Sequence, residues 1–268
     1  PYSSSHLDMF QSRIASSFED IRKSKFLYVD KTDMIYNLTR DGKYYFLSRP
    51  RRFGKSLLVS TLEAYFSGKK ELFAGLASYP VLHLDLNSQK YDDTQKLEAI
   101  LDWNISRWEE LYGSYEQETT LSLRFSGVIE RAYKKTGKQV VILVDEYDKP
   151  LLQAIGNNEL QADYRGLLKS VYGALKSQDR YIRFALLTGV TKFGKVSVFS
   201  DLNNLQDLSM DEEYQALCGV TQDELETIFA EPIKQLATKY KLSVEEALCR
   251  LKERSDGYHF VENGIGIY

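Results

Sequence analysis

A Gly-Lys-Ser triplet at residues 54–56 carries the side chains best suited to chemistry in this sequence. Gly54 permits a tight turn, Lys55 can reach the outer phosphates of a nucleotide, and the Ser56 hydroxyl suits a magnesium ion. An apolar run precedes the triplet and a helical pattern follows it, so backbone N–H groups at the start of that helix would surround an anion. The segment therefore predicts a phosphate-binding loop.

The triplet alone is weak evidence, because such triplets arise by chance in many chains of this length. The full loop pattern has its first glycine at position 49, where this sequence has Arg49. Arg49, Arg51 and Arg52 either add positive charge over the phosphates, or act on a neighbouring subunit, or anchor the loop by pairing with acids such as Asp148. The predicted nucleotide-binding residues are Arg49, Arg51, Arg52, Phe53, Gly54, Lys55, Ser56 and Leu57.

Two carboxylates, Asp145 and Glu146, follow the strongest apolar run of the chain, at residues 140–144. Such a run predicts a buried strand, and ligands of open α/β sheets bind at the carboxyl ends of the strands. We expect Asp145 to hold Mg²⁺ together with Ser56, and Glu146 to polarise a water for attack on the γ-phosphate. The alternative is a buried strand that merely ends in a charged turn.

A second stretch, GVTKFGK at residues 189–195, also fits the first seven positions of the loop pattern. Val196 stands where the magnesium-binding hydroxyl belongs, and residues 197–204 make a poor helix. We interpret this stretch as a coincidental match that can still line the site. The sequence contains no Asn-Lys-x-Asp signature of guanine recognition, so ATP is a better candidate substrate than GTP.

Apolar runs alternate with helical patterns along the first 210 residues. They predict strands at 44–47, 81–86, 140–144 and 182–187, and helices at 10–21, 31–38 (with Asp30 as N-cap), 94–112, 121–136 and 159–177. This alternation predicts an α/β P-loop NTPase fold, a mostly parallel sheet with helices on both faces. Beyond it, helices at 222–240 and 243–254 predict a small helical lid. We therefore expect a core with an N-terminal helical segment at 1–210 and a lid subdomain at 211–268.

Composition excludes several other classes of protein. With 43% apolar and 27% charged residues, the 268-residue chain is neither disordered nor fibrous. A net charge of −3 gives no global reason to bind nucleic acid or acidic lipid. No apolar run reaches membrane-spanning length and no cleavable signal opens the chain, and Cys218 and Cys249 are interpreted as free thiols. We therefore predict a cytoplasmic protein that does not enter membranes.

Several longer phrases of the sequence resemble the AAA-ATPase-like family of bacterial P-loop ATPases. They are FLYVDKTDMIYNL, FLSRPRRFGKSLL, VILVDEYDKPL, LLTGVTKFG, FSDLNNLQDLS and SDGYHF, and the resemblance covers roughly residues 15–263. It implies a P-loop ATPase core with a helical lid, in which an arginine-rich loop replaces the usual first glycine. Many members continue into a PD-(D/E)xK nuclease-like domain. Because this sequence ends at Tyr268, we expect that domain to be absent.

The resemblance also implies roles for individual residues. Those that match the family's phosphate loop and second acidic motif are Gly54, Lys55, Ser56, Asp145 and Glu146. Thr188 matches a sensor position that touches the γ-phosphate or the attacking water, although a β-branched residue also simply suits a strand end. Arg254 is either a lid arginine or part of a solvated helix face.

Two functions stay open at this point. The first is an Mg-dependent ATPase that couples hydrolysis to movement of the lid, acting on a partner protein or an effector domain. The second is a nucleotide-binding switch or scaffold that does not hydrolyse ATP. The intact Lys55, Ser56, Asp145 and Glu146 favour the first, whereas Arg49 and the lack of a clear arginine finger favour the second. An oligomer is possible, and the sequence leaves a nucleic-acid partner open.

Overall fold

A single parallel sheet forms the centre of the protein. The computed structural model describes residues 17–24, 26–68, 78–192, 198–199, 202, 204–255, 258–261 and 264–267. The strands within these ranges are β1 (Tyr44–Ser48), β2 (Val81–Asp85), β3 (Val140–Asp145), β4 (Ile182–Gly189) and β5 (Gln206–Asp207). Every neighbouring pair is parallel, and the strand order is β2-β3-β4-β1-β5.

The helices of the described residues follow the strands and fill the connections between them. They are α1 (Phe18–Lys23), α2 (Thr32–Asp41), α3 (Lys55–Phe66), α4 (Thr94–Tyr112), α5 (Leu121–Thr136), α6 (Lys149–Gln153), α7 (Asn158–Ser177), α8 (Gln222–Ile228), α9 (Ala230–Tyr240) and α10 (Val244–Ser255). Local signals fix their ends. The Asp93 carboxylate accepts hydrogen bonds from the first turn of α4, and Gly137 ends α5 in the left-handed conformation.

Both faces of the sheet are covered, as predicted. In β1, Tyr44 and Phe46 belong to the core that α4, α5 and α7 cover, whereas Tyr45 and Leu47 belong to the core beneath α2 and α3. Successive side chains of a strand point to opposite faces, so one apolar strand supplies both layers. The predicted α/β fold, with a parallel sheet of the P-loop NTPase kind between helices, is confirmed.

Some predicted boundaries differ from the structure. The strand β5 was not predicted, because two residues are too few to produce an apolar pattern. The predicted helix at 222–240 is two helices, α8 and α9, which meet at Phe229. Pro232 explains this break, because proline has no N–H to donate to the carbonyl group of Ile228. The helix predicted at 10–21 begins at Phe18 within the described residues, and positions 10–16 lie outside them.

The three C-terminal helices pack around a small core of their own. Ile233 and Ala237 of α9 and Ala247 of α10 form that core. The segment after α10 folds back, because Ile267 forms antiparallel bridges with Tyr258 and with Thr221. Both cysteines are free thiols, as predicted. Within the described ranges, no helix combines the length and the apolar character that crossing a bilayer requires.

Candidate functional site

Three strand ends meet at the edge of the sheet where the predicted residues lie. The strand order puts β4 between β1 and β3, with Ser48 opposite Gly189 and Val144 opposite Leu187. Because all three strands are parallel, their carboxyl ends face the same side. The loop after β1 and the acids after β3 are therefore brought together across the tip of β4.

The loop between β1 and α3 turns sharply before the helix begins. Gly54 has a φ of 82° and Arg52 a φ of 65°, both in the left-handed region that favours glycine. The helix α3 starts at Lys55, immediately after this turn. The first N–H groups of any helix have no partner within it, so those of α3 are available to an anion.

Asp145, at the end of β3, links the start of α3 to the tip of β4 through its two carboxylate oxygens. The Ser56 hydroxyl donates to Oδ2 and the Thr188 hydroxyl donates to Oδ1, each at 2.6 Å. The Asp145 side chain is buried at the centre of the site. Carboxylate and hydroxyl oxygens are the ligands that Mg²⁺ takes in proteins, so Ser56 and Asp145 fit the predicted metal.

Lys55 and Glu146 form a buried ion pair beside these oxygens. The Lys55 Nζ lies 3.1 Å from the Glu146 Oε1. It also donates to the main-chain carbonyls of Arg49, at 3.1 Å, and Pro50, at 3.2 Å. Burial raises the pKa of Glu146, and the Lys55 ammonium opposes this shift only in part. Glu146 also has a φ of 56°, so its backbone is strained at the site itself.

Arg49 lies inside the protein, where it fixes the base of the loop. Only 1% of the residue is exposed, and its guanidinium donates to the carbonyls of Ser48, Ser209 and Tyr214. The guanidinium carbon also lies 3.9 Å from the centre of the Phe260 ring. Burial lowers the pKa of Arg49. Of the alternatives for this residue, the geometry favours an anchor, and the groups that hold it are carbonyls and an aromatic ring.

Arg49 therefore gives a prediction about stability. We expect Arg49→Met to lower the free energy of unfolding by about 1–3 kcal/mol, because the carbonyls of Ser209 and Tyr214 lose a buried donor. Arg51 is exposed and provides the matched control. Arg51→Met should change the free energy of unfolding by less than about 0.5 kcal/mol. Urea denaturation followed by circular dichroism measures both. Equal stability of the two variants would contradict the anchoring role.

The other predicted loop residues divide into exposed and packed groups. Arg51 and Arg52 are exposed, so their charges remain available at the mouth of the site. Phe53 is buried and packs edge-on against the rings of Tyr258 and Phe260, at centroid distances of 4.8 and 5.5 Å. The C-terminal segment thus contacts the phosphate loop directly. No local pattern could have predicted this contact, because about 205 residues separate the partners along the chain.

Asp148 binds the loop after β4 and none of the three arginines of the phosphate loop. Its carboxylate accepts hydrogen bonds from the N–H groups of Val190 and Thr191 and from the Thr191 hydroxyl, at 2.7–3.3 Å. The Tyr147 N–H adds a bond to the Thr188 carbonyl. These bonds hold the tip of β4, and Thr188 with it, against the acids. In the second loop-like stretch, residues 193–197 lie outside the described residues.

A largely apolar cavity of about 270 Å³ adjoins the phosphate loop at Gly54. Three parts of the chain line it: the residues from α1 to α2, the phosphate loop with α3, and residues 217–220 and Phe229 on either side of α8. The lining residues are Ile21, Leu27, Tyr28, Val29, Lys31, Ile35, Arg52, Phe53, Gly54, Leu57, Leu58, Thr61, Leu217, Cys218, Gly219, Val220 and Phe229. Its size is close to the lower end of small-molecule sites, about 300 Å³.

Sequence reasoning missed two charged groups beside this cavity. Lys31, which lines the cavity, forms an ion pair with Glu224 of α8. The motif Thr221-x-x-Glu224 does signal a helix start, but nothing local indicates that its glutamate binds a lysine 193 residues away. The side chain of Arg254, the candidate lid arginine, lies outside the described residues.

Comparisons with known proteins agree with this arrangement. A protein from Azotobacter chroococcum mcd 1, described as an uncharacterized protein in the vnfD 5' region, is 40% identical over 224 residues. The alignment covers 80% of this chain and 43% of that protein, so the chain spans less than half the length of this relative. A sequence profile described as "Predicted AAA-ATPase" matches residues 14–199, which is more than half of the chain. With the parallel sheet and the loop and acids at its edge, these matches identify the chain as a member of the predicted AAA-ATPase family.

Proposed function

We propose that this protein binds ATP with Mg²⁺ and hydrolyses it at the edge of the sheet. One observation carries the proposal: Ser56 contacts Asp145, the last residue of β3, at 2.6 Å, and Lys55 contacts Glu146, the next residue, at 3.1 Å. A nucleotide triphosphatase needs a cation, a metal-binding hydroxyl and two acids within one site. These four residues come from two stretches of sequence about 90 residues apart, which argues against a chance cluster.

Each of these residues has a distinct part in the proposed reaction. The N–H groups at the start of α3 and the Lys55 ammonium bind the phosphates, and Ser56 and Asp145 hold Mg²⁺. Bound there, the metal supplies charge neutralisation at the phosphate oxygens. Glu146 orients and polarises a water for in-line attack on the γ-phosphate. Thr188 holds Asp145 in place through its hydroxyl, which suits the sensor position that the resemblance implies.

The cavity beside Gly54 supports a nucleotide with its base on the apolar side of the loop. A nucleobase has two flat faces that pack well against aliphatic and aromatic side chains. Phe229, which lies between α8 and α9, lines the cavity together with residues before α2, so a bound base would contact both parts of the chain. We propose that α8–α10 act as the predicted lid, and that nucleotide binding alters their position relative to the sheet.

A second candidate function rests on the ion pair between Lys55 and Glu146. While Lys55 holds Glu146 in this pair, the carboxylate is not free to polarise a water. If ATP binding does not separate the pair, the protein would bind ATP without hydrolysing it and would serve as a switch. The two candidates differ in turnover and not in affinity.

Measurements on the parent protein separate these candidates. Calorimetric titration with ATP and Mg²⁺ measures binding, and phosphate release at saturating ATP measures turnover. We expect both binding and turnover. Binding without turnover supports the switch, and no binding of ATP rejects both functions.

Thr188 supplies a test of the sensor position. Its replacement by valine preserves the shape but removes the donor to Asp145, which costs about 1.5 kcal/mol for a bond to a charged group. We therefore expect Thr188→Val to lower kcat about tenfold. Thr188→Ser keeps the hydroxyl and should retain most of the activity. A fully active valine variant would reduce Thr188 to a structural residue.

A further inference from the structure

The ion pair described above ties the segment before α2 to the first turn of α8. Lys31 lines the cavity, whereas Glu224 lies in α8 just after the lining residues Gly219 and Val220. The Lys31 Nζ donates directly to the Glu224 Oε1. The side chains are only 10% and 22% exposed, so water screens this pair far less than it screens a surface pair.

Both partners are held at the first turns of helices, which gives the pair a fixed geometry. Lys31 directly precedes α2, and its carbonyl accepts from the N–H of Ile35, at 3.0 Å. The second oxygen of Glu224 accepts from the Thr221 N–H at 2.9 Å, while the Thr221 hydroxyl accepts from the Glu224 N–H at 3.2 Å. This reciprocal capping box holds the carboxylate towards Lys31 before any ligand arrives.

We propose that Lys31 and Glu224 form a latch that sets the width of the cavity and so positions the nucleobase, an inference that rests on the proposed function. The latch joins the segment before α2 to α8 but contacts neither Lys55 nor Ser56 through any bond within the described residues. Opening it would let α8 move away from α2, and the base would lose its contact with the lining residues next to α8. The phosphates are held by the start of α3, so they would keep their contacts with the protein.

This separation predicts a specific pattern of affinities. Loss of the latch should weaken ATP, which carries a base, and should spare inorganic tripolyphosphate, which carries only the phosphates. A general loss of structure would weaken both ligands together. Lys31 is thus assigned as a positioning residue for the base, and the ratio of the two affinities reports that role.

Calorimetric titration with Mg-ATP and with Mg-tripolyphosphate tests the latch in the full chain. We expect Lys31→Met to weaken ATP about tenfold and tripolyphosphate by less than about twofold. Glu224→Gln should behave in the same way, because glutamine lacks the charge that pairs with Lys31. Glutamine can still complete the capping box, so this variant preserves the start of α8. Lys31→Arg keeps the charge and should stay close to the parent. A thermal melt of each variant verifies folding.

The ratio of the two affinities decides the result. If Lys31→Met and Glu224→Gln leave the ratio of ATP affinity to tripolyphosphate affinity at the parent value, the latch proposal is wrong. This holds whether the binding of both ligands is weakened or of neither. If the parent binds tripolyphosphate but not ATP, the base has no place in the cavity and the latch is likewise overturned. If the parent binds neither ligand, the proposed function itself fails.

Discussion

Glu146→Gln should retain ATP binding and lose ATP hydrolysis. Glutamine keeps the size of the side chain but cannot act as a base, so we expect kcat to fall by about 10²–10⁴-fold. The variant also lacks the ion pair between Glu146 and Lys55. ATP affinity should therefore stay equal to that of the parent or increase. Phosphate release and calorimetric titration measure the two quantities.

The pH dependence of turnover provides a second readout for Glu146. The carboxylate is the active form, and burial raises its pKa above the ordinary value of 4.5. Turnover by the parent should thus decline on acidification at a higher pH than an exposed glutamate would cause. The residual turnover of Glu146→Gln should show no such decline. Glu159 is exposed, and Glu159→Gln is the matched control, which should keep the turnover of the parent. Full activity of Glu146→Gln would exclude Glu146 as the base.

Lys55→Ala should strongly weaken ATP binding and abolish measurable turnover. The ammonium is the buried cation at the start of α3, and loss of one charged contact to a phosphate costs about 3–4 kcal/mol in a dry site. That cost corresponds to a decrease in affinity of about 100-fold to 1,000-fold. The measurement is calorimetric titration with Mg-ATP, followed by phosphate release.

Two further variants make the Lys55 result specific. Lys176→Ala removes an exposed lysine from α7 and should leave affinity unchanged. Lys55→Arg keeps the charge, but its planar fork does not fit the three acceptors that surround the ammonium, so we expect only partial recovery. If Lys55→Ala bound ATP as tightly as the parent, the loop would not be the phosphate site.

The sequence predicts the layout of the sheet and the location of the site because local signals encode both. The helices α4 and α5 have the ends that the helical pattern predicts. The structure shows the caps at these ends: Asp93 and Thr120 accept hydrogen bonds from the first turns, and Gly137 ends α5. The apolar run before Asp145 identifies a strand buried on both faces. Parallel strands then bring Ser56 and Asp145 to one edge, whatever the details of the loops.

What the sequence could not predict depends on contacts between distant residues. The sequence allows several roles for Arg49, because its acceptors on Ser209 and Tyr214 are about 160 residues further along the chain. Nothing in the sequence indicates that the Phe260 ring covers the Arg49 guanidinium. Asp148 was considered as a partner for the arginines, but two successive N–H groups after β4 satisfy it. The roles of Glu146 and Thr188 in catalysis stay predictions.

The position of β4 between β1 and β3 has a consequence for how freely the rest of the chain can change. Lys55 follows β1 and the acids Asp145 and Glu146 lie at the end of β3, so only β4 separates them. Backbone hydrogen bonds alone set the distance between neighbouring strands, which is about 4.8 Å. The long connections that contain α4, α5 and α7 do not affect the distance between these strands. Domains could be inserted into the loops of those connections, and the reacting groups would stay within reach of one another.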